Sequence, residues 1–474
     1  MKFPLFLLIA SSLSAFAETV KPNFLFVLTD DQRWDAISAV QKEQGDKARF
    51  PWLKTPVLDR LKSQGAIFRN SFVTTSLCSP GRASLLTGQY AHTHGVSNNH
   101  TPLPADSITY ASVLKANGYH TGYIGKWHMG TQPERPGFDF SASFQGQGKF
   151  FDCPVTIRKD GEVKKVIEPK WIDDASADHA IGFLRENKNR PFLLTVGFKS
   201  VHGPREPHAD FKEEYDGEKA NPVPNLKSPA PFRPEGVNEP RNTAPGNPKM
   251  LDYFRTLTSA DRSFGRILDE LDALGLDKNT IVIFTSDNGY YLGEHGLGDK
   301  RSAYEESLRV PLLIRSPFHK ITGKEITPDV LNIDLAPTIV DLAGIKLPES
   351  FQGRSLRPLL EESPPADWRE SFLYEYFYER NFRNPTILGL RSTKGKIITY
   401  PENPQWNELF DLGEDPYETT NHYNNPAKAG LRKELEAGLE KQKLDTGYKI
   451  PSTADPDESG KERPKRRTQR EPEP

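Results

Sequence analysis

Phe24-Leu25-Phe26-Val27-Leu28-Thr29-Asp30-Asp31 is an unbroken apolar run that ends in a hydroxyl and two carboxylates. A strand with one wet face alternates apolar and polar side chains. A continuous run of this length is what a strand buried on both faces requires. Residues 119–124, 192–198, 281–285 and 312–314 read as further strands of the same buried, parallel kind. Helical patterns lie between them. Thr55-Pro56 opens one helix with a cap and a first-turn proline, and Gly65 closes it. Ala177, Ala180, Ile181 and Leu184 form the apolar stripe of a second. Ala260, Phe264, Ile267, Leu268, Leu271 and Leu274 form the stripe of a third. Strands alternating with helices predict an α/β fold whose mixed, mostly parallel sheet is flanked by helices on both faces.

The strand ends carry the chemistry. The first run delivers Asp30 and Asp31; the second leads to Gly125-Lys126-Trp127-His128; the third leads to Ser200-Val201-His202; the fourth leads to Ser286-Asp287-Asn288-Gly289. Open α/β sheets place their ligand sites outside the carboxyl ends of the strands. Taken singly, Asp30-Asp31 reads as a helix cap and Asp287-Asn288-Gly289 as a turn. Two such sets behind two apolar strands point instead to hard oxygen ligands for calcium or magnesium.

The bulk properties narrow the class. The chain has 474 residues, 36% hydrophobic content and a formal net charge of −2. No field of one sign points to nucleic acid or a membrane surface, so no nucleic-acid partner is expected. Residues 1–17 read as a signal peptide: Lys2, an apolar run over 3–10, and Ala15-Phe16-Ala17 at the cleavage site. That run is short for a bilayer span, so stable membrane insertion is not expected and a secreted or periplasmic protein is. Cys78 and Cys153 are the only cysteines. They suffice for one disulfide, but a chemically converted Cys78 would leave Cys153 as a buried small hydrophobe.

Domain limits follow from composition. Residues 18–370 hold the α/β pattern. Residues 204–248, rich in proline, asparagine and glycine, read as a long surface excursion. Residues 371–450 change character: short antiparallel strands at 372–378, 387–391, 396–400 and 408–412, then a helix near 427–442, predict a small C-terminal α+β subdomain. Residues 451–474 are charged and proline-rich and read as a disordered tail.

Cys78-Ser79-Pro80-Gly81-Arg82-Ala83-Ser84-Leu85-Leu86-Thr87-Gly88 is the most specific segment. Pro80 suits a first helical position and Gly88 a helix end, which sets Cys78 at a helix N-terminus that favours anions. By itself this suggests a reactive thiolate. Cys-x-Pro-x-Arg followed by Leu-Leu-Thr-Gly, however, resembles the signature of the sulfatase family. The resemblance extends through Leu28-Thr29-Asp30-Asp31-Gln32, Gly125-Lys126-Trp127-His128, Ser286-Asp287-Asn288-Gly289, Gly293-Glu294-His295-Gly296 with Lys300, and Leu409-Phe410-Asp411-Leu412 with Asp415-Pro416.

The resemblance implies an alkaline-phosphatase-like fold and a sulfuric ester hydrolase. It implies that a formylglycine-generating maturation enzyme oxidises Cys78 to formylglycine. One hydroxyl of the hydrate attacks sulfur, giving a sulfated-enzyme intermediate; loss of the other proton expels sulfate. It further implies a calcium ion held by Asp30, Asp31, Asp287 and Asn288 and touching residue 78. By the same resemblance Arg82 stabilises the formylglycine, Lys126 and Lys300 hold sulfate oxygens, His128 deprotonates the second hydroxyl, and His202 assists the leaving group with Lys300. Residues 289–296 and Asp299-Lys300-Arg301 resemble family members acting on sulfated polysaccharides, glucosamine-6-sulfatase-like enzymes among them, which implies a sulfated saccharide substrate.

Arg205, His208, Tyr290, Tyr291, His295 and Arg301 follow these motifs on expected rim loops, where basic and aromatic side chains suit an anionic sugar. His92 and His94 invite a zinc reading, but two loop histidines without a third ligand favour a structural role. Two other functions remain open at this level. One is a formylglycine-dependent phosphonate or phosphate ester hydrolase. The other is a non-catalytic sulfated-glycan binder with an unmodified Cys78.

Overall fold

The computed structural model describes residues 21–132, 134–233, 248–361, 364–380, 382 and 384–460. The signal-peptide reading of 1–17 lies outside the described residues, as do 234–247 of the excursion and 461–474 of the tail. Among the described residues, no helix is long and apolar enough to cross a membrane.

The chain builds β1 (Asn23–Thr29), β2 (Ala66–Phe68), β3 (Ser71–Phe72), β4 (His120–Lys126), β5 (Phe140–Phe144), β6 (Cys153–Lys159), β7 (Glu162–Glu168) and β8 (Phe192–Gly197). It continues through β9 (Thr280–Ser286), β10 (Leu312–Arg315), β11 (Lys324–Ile326), β12 (Val330–Leu331), β13 (Ser371–Tyr376), β14 (Ile387–Ser392), β15 (Gly395–Thr399) and β16 (Glu408–Asp411). A ten-stranded sheet has the order β11-β2-β10-β9-β1-β8-β4-β5-β6-β7. Its centre, β9 to β5, is parallel throughout. The apolar strands lie there because each must be covered on both faces. Phe24, Phe26 and Leu28 of β1 face one core, with helices Cys78–Thr87, Tyr110–Ala116 and Leu335–Leu342. Leu25 and Val27 face the other, with helices Ile172–Asn187 and Pro248–Ala273.

The direction of one strand is corrected. The apolar run at 312–314 is not a parallel strand: β10 pairs antiparallel with both β9 and β2. Burial on both faces makes a strand apolar but says nothing of its direction. The hairpin β6–β7 extends the sheet edge antiparallel. Its turn is Asp160-Gly161, both left-handed with φ of 51° and 85°, a dipeptide that favours a two-residue hairpin.

The C-terminal subdomain is a four-stranded antiparallel meander, β13-β14-β15-β16. Helix Ala429–Thr446 covers it through Leu435 and Leu439. Residues 451–460, the start of the charged tail, carry contacts to the body: Asp455 accepts from Arg380 N at 3.1 Å and Asp457 from Thr386 N at 2.7 Å. The first part of the excursion is also not all surface, since Ala220, Asn225 and Ala230 are buried.

Candidate active site

Parallel register places the first group. Thr29 of β1 lies opposite Ser286 of β9, so the next residues, Asp30-Asp31 and Asp287-Asn288, leave the sheet side by side. Asp287 N donates to Thr29 O, and Asp31 N to Asp287 Oδ1, both at 3.2 Å. Asp31 takes a left-handed φ of 65°, which turns its side chain back toward its neighbours. The three carboxylates of Asp30, Asp31 and Asp287 bring oxygens within 4.8 Å of one another, and all three residues are buried.

The signature helix docks on this cluster. It begins at Cys78 with Leu77 as its extended N-cap, two residues earlier than Pro80 suggests, and ends at left-handed Gly88. Gly81 is what permits the approach: a Cβ there would sit 2.5 Å from the carbonyl oxygen of Asp287. Arg82 therefore reaches the carboxylates. Its Nε donates to Asp287 Oδ2 at 2.8 Å and one Nη to Asp30 Oδ2 at 3.1 Å, while the other donates to Lys126 O at 2.7 Å. Cys78 Sγ lies 3.7 Å from Asp30 Oδ1.

β4 and β8 contribute the other side. Lys126 pairs with Asp30 and also donates to Gln147 Oε1 at 2.5 Å. Gly125 lets β4 pass β8 closely, since a Cβ would sit 2.0 Å from Gly197 O. His128 has a left-handed φ of 61°, its backbone carbonyl accepts from Ser79 Oγ, and its Nε2 lies 3.2 Å from Gln147 Nε2. His202 directs Nδ1 to Gly203 O at 2.6 Å and Nε2 toward Asp31 Oδ2 at 4.0 Å. Lys300 pairs with Asp31 Oδ1 at 2.5 Å.

Electrostatics follow from this dry crowding of charges. Burial opposes ionisation of Asp30, but the permanent cations Lys126, Arg82 and Lys300 more than offset it and hold the carboxyl well below its usual range. Burial and then the neighbouring Asp30 push Asp287 up to about 7, against Arg82 and Lys126. Burial also raises Asp31, with Lys300 opposing. Burial, reinforced by Asp30, pushes the Cys78 thiol up to about 12. The free thiol is thus a poor thiolate at neutral pH, contrary to the reactive-thiolate reading of its helix position. His128 is driven down to about 2 by burial and Lys126. His202 is driven well below its usual value by burial, Lys126 and Lys300. Both rings are neutral.

A hard cation fits here. The donors are carboxylate oxygens, and Asn288 Oδ1 is buried without a hydrogen-bond partner while its Nδ2 is spent on Asp31 Oδ1 at 2.7 Å. An orphaned carbonyl beside three converging carboxylates is an oxygen-ligand set of the calcium or magnesium type.

A cavity of about 660 Å³ opens over the cluster, with His128, His202, Lys300, Arg301 and Gln147 in its lining. Of the expected rim, Arg301 reaches it, held by Glu379 at 2.6 Å and by Asp299, with Phe382 stacked 3.5 Å from the guanidinium. The structure does not bring the others to the cavity wall. Arg205 is sandwiched between Tyr253 and Tyr290 at 5.1 and 4.8 Å. His208 faces Asp174 and Asp210. Tyr291 is buried in the C-terminal core. His295 is buried and stacked on Tyr304 at 3.8 Å, bonded to Asn225 and Ser228. His92 and His94 are both used structurally: His92 bonds Glu375 and Thr446 O, and His94 bonds Ser84. Cys78 and Cys153 are both free and buried. The lining also includes Asn99, His100, Gln147, Glu379 and Phe382, which no motif marks. Gln147 carries a weak signal, standing between two glycines in the turn after β5.

Residues 22–345 match the family described as Sulfatase, and residues 293–445 match the C-terminal region of N-sulphoglucosamine sulphohydrolase. An N-acetylglucosamine-6-O-sulfatase of Bacteroides thetaiotaomicron is 31% identical over 93% of this chain and 88% of its own length. The human N-acetylglucosamine-6-sulfatase is 30% identical over 79% of this chain and 71% of its own. A solved structure of an enzyme in complex with its substrate, D-glucosamine-2-N,6-O-disulfate, superposes with a TM-score of 0.82 at 28% identity, covering 91% of this chain and 99% of that one.

Proposed function

The chain belongs to the sulfatase family and is a sulfuric ester hydrolase with an alkaline-phosphatase-like fold, and from that premise we propose that it cleaves a sulfate ester on a sulfated saccharide at a formylglycine made from Cys78. The observation that carries the reading is the buried cluster behind the cavity wall, where Arg82, Lys126 and Lys300 pair with the carboxylates of Asp30, Asp31 and Asp287 beside Cys78. Few other chemistries need an anion pocket, a hard-cation set and a buried, unreactive cysteine in one place. The glucosamine substrates of the relatives above make a 6-sulfated glucosamine unit the first to test.

Asp30, Asp31, Asp287 and Asn288 would hold calcium, with residue 78 beside it, and the ion would supply charge neutralisation at the sulfate. Formylglycine, as its hydrate, would supply one hydroxyl to attack sulfur and a second whose deprotonation expels sulfate from the sulfated enzyme. The chain's own groups then have separable tasks. Lys126 and Lys300 hold sulfate oxygens, offsetting charge that builds in the transition state. Arg82 fixes residue 78 against Asp30 and Asp287. His128, neutral and buried, is placed to take a proton. His202 is kept neutral by burial and by the same two lysines; an arriving sulfate anion offsets the lysines and raises the basicity of the ring, as proton delivery to the leaving oxygen requires. Arg301, with Phe382 over it, lines the sugar side. Export to the periplasm or the medium, from the reading of residues 1–17, belongs to the same proposal.

The test is sulfate release from 6-sulfated N-acetylglucosamine by protein made together with a formylglycine-generating enzyme, beside Cys78→Ala and matched phosphate and phosphonate esters. Sulfate release that vanishes in the variant supports the proposal. Faster turnover of the phosphonate, or saccharide binding without release, contradicts it.

A further inference from the structure

We propose that Tyr253 is a positioning residue for the cation set, its hydroxyl fixing the turn that carries Asp31 to the other carboxylates. The inference rests on the calcium set given above and adds a residue outside it. Tyr253 lies on the helix Pro248–Ala273, 222 residues from Asp31, and is fully buried. Its hydroxyl oxygen is 2.8 Å from Asp31 O and 3.0 Å from Arg33 N. A carbonyl only accepts and an amide only donates, so the hydroxyl donates to Asp31 and accepts from Arg33. One oxygen thus bridges the backbone on both sides of Gln32.

Asp31 is the member of the set whose backbone most needs such a brace. Its φ of 65° is left-handed, a region that residues with a side chain enter rarely and keep where neighbours over-determine it. The loop after β8 holds Asp30, whose N–H donates to Ser200 O at 2.8 Å and whose carbonyl accepts from Val201 N at 2.7 Å. Asp31 is held differently. Its N–H donates to Asp287 Oδ1 at 3.2 Å, a carboxylate of the same cation set, which cannot brace that set from outside. The bond from Tyr253 to its carbonyl does. The hydroxyl is itself seated firmly. Phe254 meets the Tyr253 ring edge-on at 5.0 Å, and the Arg205 guanidinium lies 5.1 Å from the ring centroid. Arg205 in turn donates from Nε to Val201 O at 2.9 Å, so the arginine that stays away from the cavity wall ties the tyrosine to the loop that holds Asp30.

Tyr253→Phe removes the hydroxyl and keeps the ring, and calcium titrated into chelator-stripped full-length protein reads the consequence by calorimetry, without substrate or turnover. The variant is expected to bind calcium about 10- to 100-fold more weakly, the usual effect of removing a partner that orients a ligand. Hydrogen exchange in the peptide holding residues 31–33 is expected to speed up in the stripped variant, because the Arg33 amide loses its acceptor. Tyr215→Phe is the matched control. Its hydroxyl lies 2.6 Å from Thr258 Oγ1 and 3.1 Å from Lys54 N, in the same apolar cluster as Tyr253 but away from the Asp31 turn. Removing it should change calcium affinity by less than about threefold, since no ligand is touched. Equal calcium affinity in Tyr253→Phe and wild type, with or without a lower melting temperature, would overturn the proposal. So would the same weakening in Tyr215→Phe, or unchanged exchange at 31–33. Wild-type protein that binds no calcium would count against the calcium set of the proposed function instead, and the exchange result then decides by itself whether Tyr253 holds the turn.

Discussion

His202 is the residue whose role separates most cleanly from simple binding. Its ring is held by Gly203 O on one side and faces Asp31 on the other, and burial, with Lys126 and Lys300, keeps it neutral. If it delivers the proton to the leaving oxygen, the effect of removing it depends on the leaving group. His202→Ala is expected to slow hydrolysis of a saccharide sulfate by about 10²–10⁴-fold, the range for general acid–base catalysis. A nitrophenyl sulfate, whose leaving group needs no proton, should lose less than about tenfold. Equal losses on both substrates would assign His202 to binding. The residue types and spacing at 30–31, 78–82, 126–128, 202 and 287–288 are legible in the sequence because each follows a strand end or lies in the signature helix, and Lys300 is legible only from the family-like segment that precedes it. The rim is not: Arg205, His208, Tyr291 and His295 look like sugar-binding side chains, yet their neighbours in space, Tyr253, Asp174 and Asn225 among them, claim them. Those partners are far away in sequence, and no local pattern announces them.

Among the elements, the signature helix shows how a backbone contact controls the chemistry. Gly81 lies against the carbonyl of Asp287, and a methyl group would meet that oxygen at 2.5 Å. Gly81→Ala must lift the helix, and with it Cys78 and Arg82, from the carboxylates. A destabilisation of about 1–3 kcal/mol, the cost of overpacking a fitted contact, should accompany a loss of activity. Gly182→Ala is the matched control, because a Cβ there meets nothing within 4 Å. It is expected to be neutral or stabilising by up to about 1 kcal/mol. Thermal unfolding and turnover of the two variants check both statements; similar behaviour would contradict them. The central strands are legible because double-sided burial writes itself as an apolar run. The direction of β10 and the edge strands β6 and β7 are not, since direction is set by the connection and edge strands need few apolar residues. The Asp160-Gly161 turn is the one local signal of that hairpin.

Across the whole molecule, the C-terminal subdomain completes the site as well as following it. Glu379, just beyond β13, holds Arg301 at the cavity, and Glu375 of β13 accepts from His92 Nδ1 at 2.7 Å. The other nitrogen of His92 lies 3.0 Å from Thr446 O, so the ring faces two acceptors and is held as the imidazolium. Burial alone would lower its pKa; the Glu375 carboxylate and the Thr446 carbonyl outweigh burial and raise it. A group raised in the folded state contributes stability that is fully present below its unfolded value, about 6.5 for histidine, and is lost as pH climbs through the folded value. Lys449 opposes the charge. Melting temperature should therefore fall as pH rises above about 6.5, and His92→Gln should flatten that dependence. An identical slope in the variant would remove the pair from the account. The existence of this subdomain is legible in the sequence from its alternating strands. Its reach into the site is not, because Glu375 and Glu379 stand outside every motif.

The claim on which the rest depends is that Cys78 becomes formylglycine, and the mass of the peptide that spans it tests this most directly. Protein produced with a verified formylglycine-generating enzyme is predicted to give a peptide matching the aldehyde or its hydrate. A peptide carrying the unmodified thiol under those conditions would contradict the account, leaving the cavity as a pocket that binds sulfated saccharides without cleaving them.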